Sequence, residues 1–172
     1  VDGAPIIIKV HGYNGCPLRD FCGGGVEELD KVYNVLLIDQ RGHENSEGHC
    51  TTFGIKERYD VIDWAKYLVD RFGEEQKIVI YGISMGAATV LMASSMDTLP
   101  PQVVGVMADC GYTSPKDIII KVATEDMRLP GKLAFPLIWL GARIFGNFNL
   151  TETSAIEAVK TNTRPLLIVH GS

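Results

Sequence analysis

An α/β fold, with a mostly parallel sheet flanked by helices, is what this sequence predicts, and three observations carry it. Apolar runs of strand length alternate with helical patterns along the chain, the signature of βαβ units. The first run, Pro5 to His11, is continuously apolar apart from Lys9, as a strand covered on both faces must be. Finally, Gly82-Ile83-Ser84-Met85-Gly86 stands between the β-branched run Lys77-Ile78-Val79-Ile80-Tyr81 and the small-residue helix start Ala87-Ala88-Thr89.

Pro5–His11 reads as the first strand. Gly12–Gly25 is a glycine-rich loop leading into a short helix that ends near Val32, and Val35–Asp39 is the second strand. The polar loop Gln40–Gly54 precedes a helix over Ile55–Phe72, whose Ile55, Tyr59, Ile62, Ala65, Tyr67, Leu68 and Phe72 roughly follow helical spacing. Lys77–Ile83 is the third strand, Met85–Ser95 a helix, Val103–Ala108 the fourth strand and Leu166–His170 the fifth, about five strands in all. Between the last two the connection exceeds an ordinary crossover. Ser114 as cap and Pro115 in the first turn open a helix to Met127, and Gly131–Phe145 is a second, markedly apolar one. No internal repeat or low-complexity linker divides the chain, so residues 1–172 are expected to form a single domain.

The chain's 172 residues, 46% of them hydrophobic, suit one globular domain. A net charge of −5, a pI near 5.3 and the lack of any basic stripe argue against a nucleic-acid partner. No apolar run approaches the ~20 residues of a membrane span. Val1-Asp2-Gly3-Ala4-Pro5 has neither the basic nor the apolar region of a secretory leader. A cytoplasmic location is therefore expected, with an anchor upstream of Val1 left open. Cys16, Cys22, Cys50 and Cys110 are read as free thiols in loops. Cys50 beside His49 matches no zinc spacing, so no metal is expected.

The chemistry centres on Ser84. A serine lifted out of a tight strand-to-helix turn needs small neighbours, which Gly82 and Gly86 supply. Its hydroxyl would be the nucleophile, and the N–H of Met85 at the helix start would stabilise the oxyanion formed on attack at a carbonyl. The second donor would come from the loop after the first strand, where Tyr13 N–H is the candidate, with Asn14 behind it, and Gly12 lets the backbone approach closely. No organic cofactor is needed. A nucleotide-binding reading fails, because no Gly-x-Gly-x-x-Gly or phosphate-loop lysine follows the first strand.

Four segments carry a resemblance to a known family: His11-Gly12-Tyr13-Asn14-Gly15, Asp39-Gln40-Arg41-Gly42-His43-Glu44-Asn45-Ser46-Glu47-Gly48, the Ser84 pentapeptide, and Pro165-Leu166-Leu167-Ile168-Val169-His170-Gly171. Thr52-Phe53-Gly54-Ile55-Lys56-Glu57-Arg58-Tyr59-Asp60 adds to it. Through them the chain resembles the α/β-hydrolases of the serine aminopeptidase-like esterase group. The resemblance implies a serine hydrolase of carboxylic esters, or of amides and peptides, working through an acyl-serine intermediate on a small-molecule substrate. Hydrolases of this type carry a lid or cap where the insertion over 112–150 stands, the alternative being a packed core helix; its apolar Leu133–Leu140 segment, with Trp139 and Leu140, would suit an acyl group of the substrate. Glu44 departs from it, standing where the related motif has glycine.

A larger departure is that the family's acid and histidine normally come after the strand ending in His-Gly. The chain therefore reads as an internal fragment, incomplete at both ends. Within it, Asp109 at the end of the fourth strand is an alternative acid, or else a cap of the following turn. His11 and His170 are read as buried and structural, and His43 and His49 as loop residues. Asp39, Arg41, Glu57 and Asp60 are read as an ion-pair network. The competing reading is a truncated or non-catalytic module of the same fold. In either case the apolar, charge-free strand Leu166–His170 would be an edge open to self-association.

Overall fold

The computed structural model describes residues 3–21 and 32–171. In chain order the elements are β1 (Ile6–Val10), α1 (Pro17–Phe21), β2 (Asn34–Ile38), α2 (Glu57–Phe72), β3 (Ile78–Ile83), α3 (Met85–Ser94), β4 (Val103–Asp109), α4 (Pro115–Glu125), α5 (Gly131–Ile144), α6 (Ala155–Thr161) and β5 (Leu166–Val169). The five strands form one parallel sheet in the order β2-β1-β3-β4-β5. The α/β class and the parallel sheet stand as expected, and each expected strand is present to within a residue or two. The short helix expected to end near Val32, like Cys22, lies outside the described residues.

β1 is buried at all five positions. Its even-numbered residues Ile6, Ile8 and Val10 join Ile78 and Ile80 of β3 and Val106 and Ala108 of β4 in the main core, closed over by Val61, Ile62, Ala65 and Leu68 of α2 and by α3. The opposite face carries a smaller cluster of Ile7, Phe21 and Tyr81. Lys9 is buried there, its ammonium 5.7 Å from the Phe21 ring centre. α3 is buried along its whole length, which explains its run of small residues: Ala87 and Ala88 let the helix lie close to the sheet.

Two boundaries differ from the sequence reading. α2 begins at Glu57 and not at Ile55, because residues 52–56 are wound into a turn around the Glu57 carboxylate. Thr52 N–H and Gly54 N–H donate to it at 2.6 and 2.8 Å, and Thr52 Oγ1 donates as well. α6 was not expected. It is announced by Ser154, whose Oγ accepts from Glu157 N–H at 3.2 Å, the first half of a Ser-x-x-Glu capping box.

The insertion between β4 and β5 folds as α4 and α5 packed together, around a third cluster of Ile119, Phe135 and Leu150 with Phe53 and Trp139 against it. Lys56 Nζ donates to Gly146 O at 2.9 Å, and Arg58 pairs with Glu152, so the start of α2 ties this unit down. At the far end of the sheet, Arg164 donates to Val103 O, Ser94 O and Leu99 O at 3.1, 3.0 and 2.9 Å. β5 occupies the edge, with Leu167, Ile168 and Val169 half exposed. Among the described residues no helix is long and apolar enough to cross a membrane.

Candidate active site

The strand order places the site. β1 leads out to β2 on one side, and the chain returns to place β3 on the other. The carboxyl ends of β1 and β3 are therefore neighbours at a topological switch point, where open parallel sheets bind ligands. The register pairs Val10 with Gly82 and Ile83 with Asp109. The loop after β1, the turn after β3 and the end of β4 thus meet.

Ser84 sits at that turn with φ 54° and ψ −112°, immediately before α3. This left-handed backbone is strained for a residue with a side chain, and the surroundings hold it. Ser84 N–H donates to Asp109 O at 2.8 Å, and Ser84 O accepts from Ala88 N–H at 3.2 Å. A Cβ on Gly82 would lie 2.2 Å from the Gly86 carbonyl, and one on Gly86 would lie 2.0 Å from Val10 O. Both glycines are required by contact with backbone, which cannot swing aside. Ser84 itself is exposed.

Met85 is buried and opens α3, so its N–H has no acceptor within the helix. Gly12 is pressed against the serine: a Cβ there would lie 3.3 Å from Ser84 Cβ. Its N–H is committed to Asp20 Oδ2 at 2.8 Å, while Tyr13 N–H has no acceptor among the described residues. Asp20 was not singled out in the sequence. It shapes the loop from α1, standing where a Cβ on Gly15 would come within 2.2 Å of its carboxylate. Beside it Arg19 donates to Asn14 O at 2.9 Å.

Phe53 was also overlooked as a site residue. Its ring stacks on that of Tyr13, centres 5.8 Å apart and planes 14° off parallel. Its own φ is 55°, and Tyr112 Oη donates to its carbonyl at 2.9 Å. Burial pushes the Tyr112 phenol well above its ordinary range, which keeps it protonated as that donor. Phe53 and Gly54 are successive positive-φ positions of which only one is glycine, and the glycine alone was visible in the sequence.

The other nominated residues fall as follows. The Asp109 carboxylate turns toward Tyr81, whose phenol is raised by burial and then by that charge. Trp139 faces the third cluster and donates from Nε1 to Asn149 Oδ1 at 2.8 Å. Leu140, one position on, is exposed on the other side of α5. Glu44 adopts φ 45°, the left-handed conformation that glycine takes without strain. Arg41 and Asp60 form the expected ion pair, Nε to Oδ2 at 2.6 Å, but Glu57 leaves the network for the Thr52–Gly54 turn.

The histidines divide clearly. His11 is fully buried; its Nε2 accepts from Gln40 N–H at 3.0 Å, which leaves Nδ1 protonated and donating to Gly12 O at 2.8 Å. Burial holds its pKa below the ordinary 6.5, and the neighbouring His43 adds to this. His43 packs edge-on against it at 4.8 Å, its Nδ1 on Arg41 O. His49 is exposed. His170 is exposed too, contrary to the buried role expected of it, because β5 has no strand beyond it among the described residues. A groove of about 850 Å³, lined by Asp39, Arg41, His49, Cys50, Trp64 and Tyr67, flanks the loop after β2 and does not include Ser84. It carries no strained nucleophile, so the turn after β3 is the stronger candidate. Among the described residues no His, Cys, Asp and Glu group could hold a metal.

This arrangement has counterparts. A sequence family described as the alpha/beta hydrolase fold matches residues 5–143. YqkD, an uncharacterized protein of Bacillus subtilis (strain 168), is 26% identical over 142 residues, which cover 83% of this chain and 46% of YqkD. The Pyrococcus furiosus esterase Pf2001 superposes with a TM-score of 0.64 at 25% identity, over 95% of this chain and 60% of that one. An acylaminoacyl peptidase from Pyrococcus horikoshii gives 0.58 at 19% identity, over 99% and 28%, a likeness of fold. The chain thus spans less than two thirds of each of these relatives.

Proposed function

The chain belongs to the alpha/beta hydrolase fold family, and from that premise we propose that it carries the nucleophile and oxyanion hole of a serine hydrolase acting on carboxylic esters, with amides and peptides as further substrates. The observation that carries the reading is Ser84: an exposed serine held at φ 54° between β3 and α3 by glycines that contact backbone. Ser84 Oγ attacks the substrate carbonyl carbon and gives its proton to a base. The oxyanion is received by the N–H groups of Met85 and Tyr13. The carbon–oxygen bond to the leaving alcohol breaks as the base returns the proton, and water then releases the acid from the acyl-serine.

His11 and His43 are fixed within the fold, and His49 and His170 lie on the surface, so the base is proposed to come from outside these 172 residues. Asp109, at the end of β4 beside the turn, is the alternative acid within them. The α4–α5 unit over 112–150 is proposed as the cap, with Trp139 and Phe53 on its acyl-binding side and Leu140 on its outer side. A cytoplasmic location and self-association through the open edge of β5 belong to the same proposal, the first supported by the free thiols Cys16, Cys50 and Cys110.

The test is a fluorophosphonate probe applied to the protein expressed from its full coding sequence. Label on the Ser84 peptide, abolished in Ser84→Ala, is expected. Hydrolysis of p-nitrophenyl acetate with no label at Ser84 overturns the reading. Neither label nor hydrolysis favours a module that keeps the fold without turnover, a reading supported by His11, both of whose ring nitrogens are committed to backbone.

A further inference from the structure

α5 has two apolar faces, and the domain covers one of them. Gly131, Phe135, Trp139 and Ala142 face inward, the last three in or against the cluster shared with α4. Leu133, Leu137, Leu140 and Ile144 recur at i, i+4, i+7 and i+11 and so line up opposite. Leu133 and Leu137 are 77% and 74% exposed, and Phe145 extends the stripe at 90%. None of these five belongs to any of the three apolar clusters. A helix that is apolar all round is ordinarily buried all round, and contiguous exposed apolar surface marks an interaction site.

Charge identifies the occupant. From Met127 to Thr151 the sequence has Arg128, Lys132 and Arg143 and not one Asp or Glu, within a chain of net charge −5. Lys132 and Arg143 fall on one flank of the stripe, with Arg143 resting on the Trp139 ring at 5.5 Å. Lys116 of α4 lies across the groove from Lys132, in a lining where Lys121 and Glu125 pair at 4.0 Å and Asp117 accepts from Thr113 and Ser114, which leaves one net positive charge. A second copy docked stripe to stripe with its helix antiparallel would set these cations against their own images. An anionic lipid surface answers both features at once.

We propose that the outer face of α5 seats in the headgroup region of an anionic bilayer. Its leucines, Ile144 and Phe145 enter the acyl boundary, and Arg128, Lys132 and Arg143 pair with lipid phosphates. The helix is about 21 Å long, too short to cross and suited to lying in the interface. This surface is independent of the chemistry assigned to Ser84.

Sedimentation of the protein expressed from its full coding sequence with phosphatidylcholine vesicles, with and without phosphatidylglycerol, tests it. Binding to the anionic vesicles should be at least about tenfold tighter than to neutral ones, and each of Lys132→Gln and Arg143→Gln should weaken it about fivefold. Added salt should weaken it further. Leu133→Glu and Leu137→Glu should abolish it while leaving the thermal melt unchanged, since neither side chain is in a core. If a variant fails to fold, the salt titration of the unmodified protein and the Lys132→Gln variant decide. Equal binding to neutral vesicles, no binding at all, or binding that survives Leu137→Glu overturns the proposal. So does a lipid-free dimer that Leu137→Glu dissolves, which would give the stripe to a second copy.

Discussion

A methyl group added at Gly86 would come within 2.0 Å of a carbonyl oxygen of β1, whereas one added at Gly141 would meet nothing within 4 Å. Both glycines lie in helices of one domain, α3 and α5. At the first, backbone from β1, β3 and α3 converges so tightly that the fold itself dictates the residue. At the second, half the helix surface answers to nothing in the domain. Sequence constraint near Ser84 is therefore internal, set by sterics. Along the outer face of α5 the domain's own packing sets none.

That contrast can be broken most directly at Gly86. Gly86→Ala must push α3 off β1 and should cost about 3 kcal/mol in urea unfolding; an unchanged midpoint would mean that the turn is far softer than its contacts imply. Glu57→Ala strips the acceptor from two buried N–H groups, and about 2 kcal/mol should be lost. It should also loosen Phe53 and with it the stack on Tyr13. A milder, pH-dependent effect is expected from His11. Its folded pKa lies below the unfolded 6.5, so the unfolded chain binds the proton more readily. The neutral imidazole's contribution is complete above pH 6.5 and is lost as pH falls below it toward the folded value. The urea midpoint should fall from pH 7 to pH 5, and His11→Gln should flatten that slope. On the other side of the comparison, Gly141→Ala should raise stability by roughly 0.5–1 kcal/mol, since helix propensity alone is at stake. Smallest of all, Glu44→Gly should gain about 0.5 kcal/mol by relieving a left-handed glutamate, less the added entropy of the unfolded glycine. A loss there would show that the Glu44 side chain holds the loop.

The same division decided what could be read from the residues alone. The turn at Ser84 was legible because only glycine fits at 82 and 86, and β1 because burial on both faces leaves a continuous apolar run. Ser114 and Pro115 marked the start of α4 for an equally local reason. Asp20 was not legible: a carboxylate reaching an amide eight residues back leaves no periodic trace. The start of α2 shifted because Ile55 keeps helical spacing while Glu57 bends the preceding turn around itself. His170 resembled His11 in its His-Gly setting, yet one is exposed and the other buried. Burial depends on the neighbouring strand, which local sequence does not carry. The second apolar face of α5 was visible as composition, and only the packing showed which side stays bare.

Arg164 carries a consequence for how the sheet is completed. Its three acceptors, at Ser94, Leu99 and Val103, precede it by 61 to 70 positions. On a growing chain the first four strands can therefore assemble while those carbonyls are still hydrated. One guanidinium then displaces that water and anchors β5 at once. This joint closes only once residue 164 has been made, well after its three acceptors. It should also be an early one to open in native-state hydrogen exchange, with the amides of Val106 and Cys110, which donate to Pro165 O and Val169 O, as its reporters.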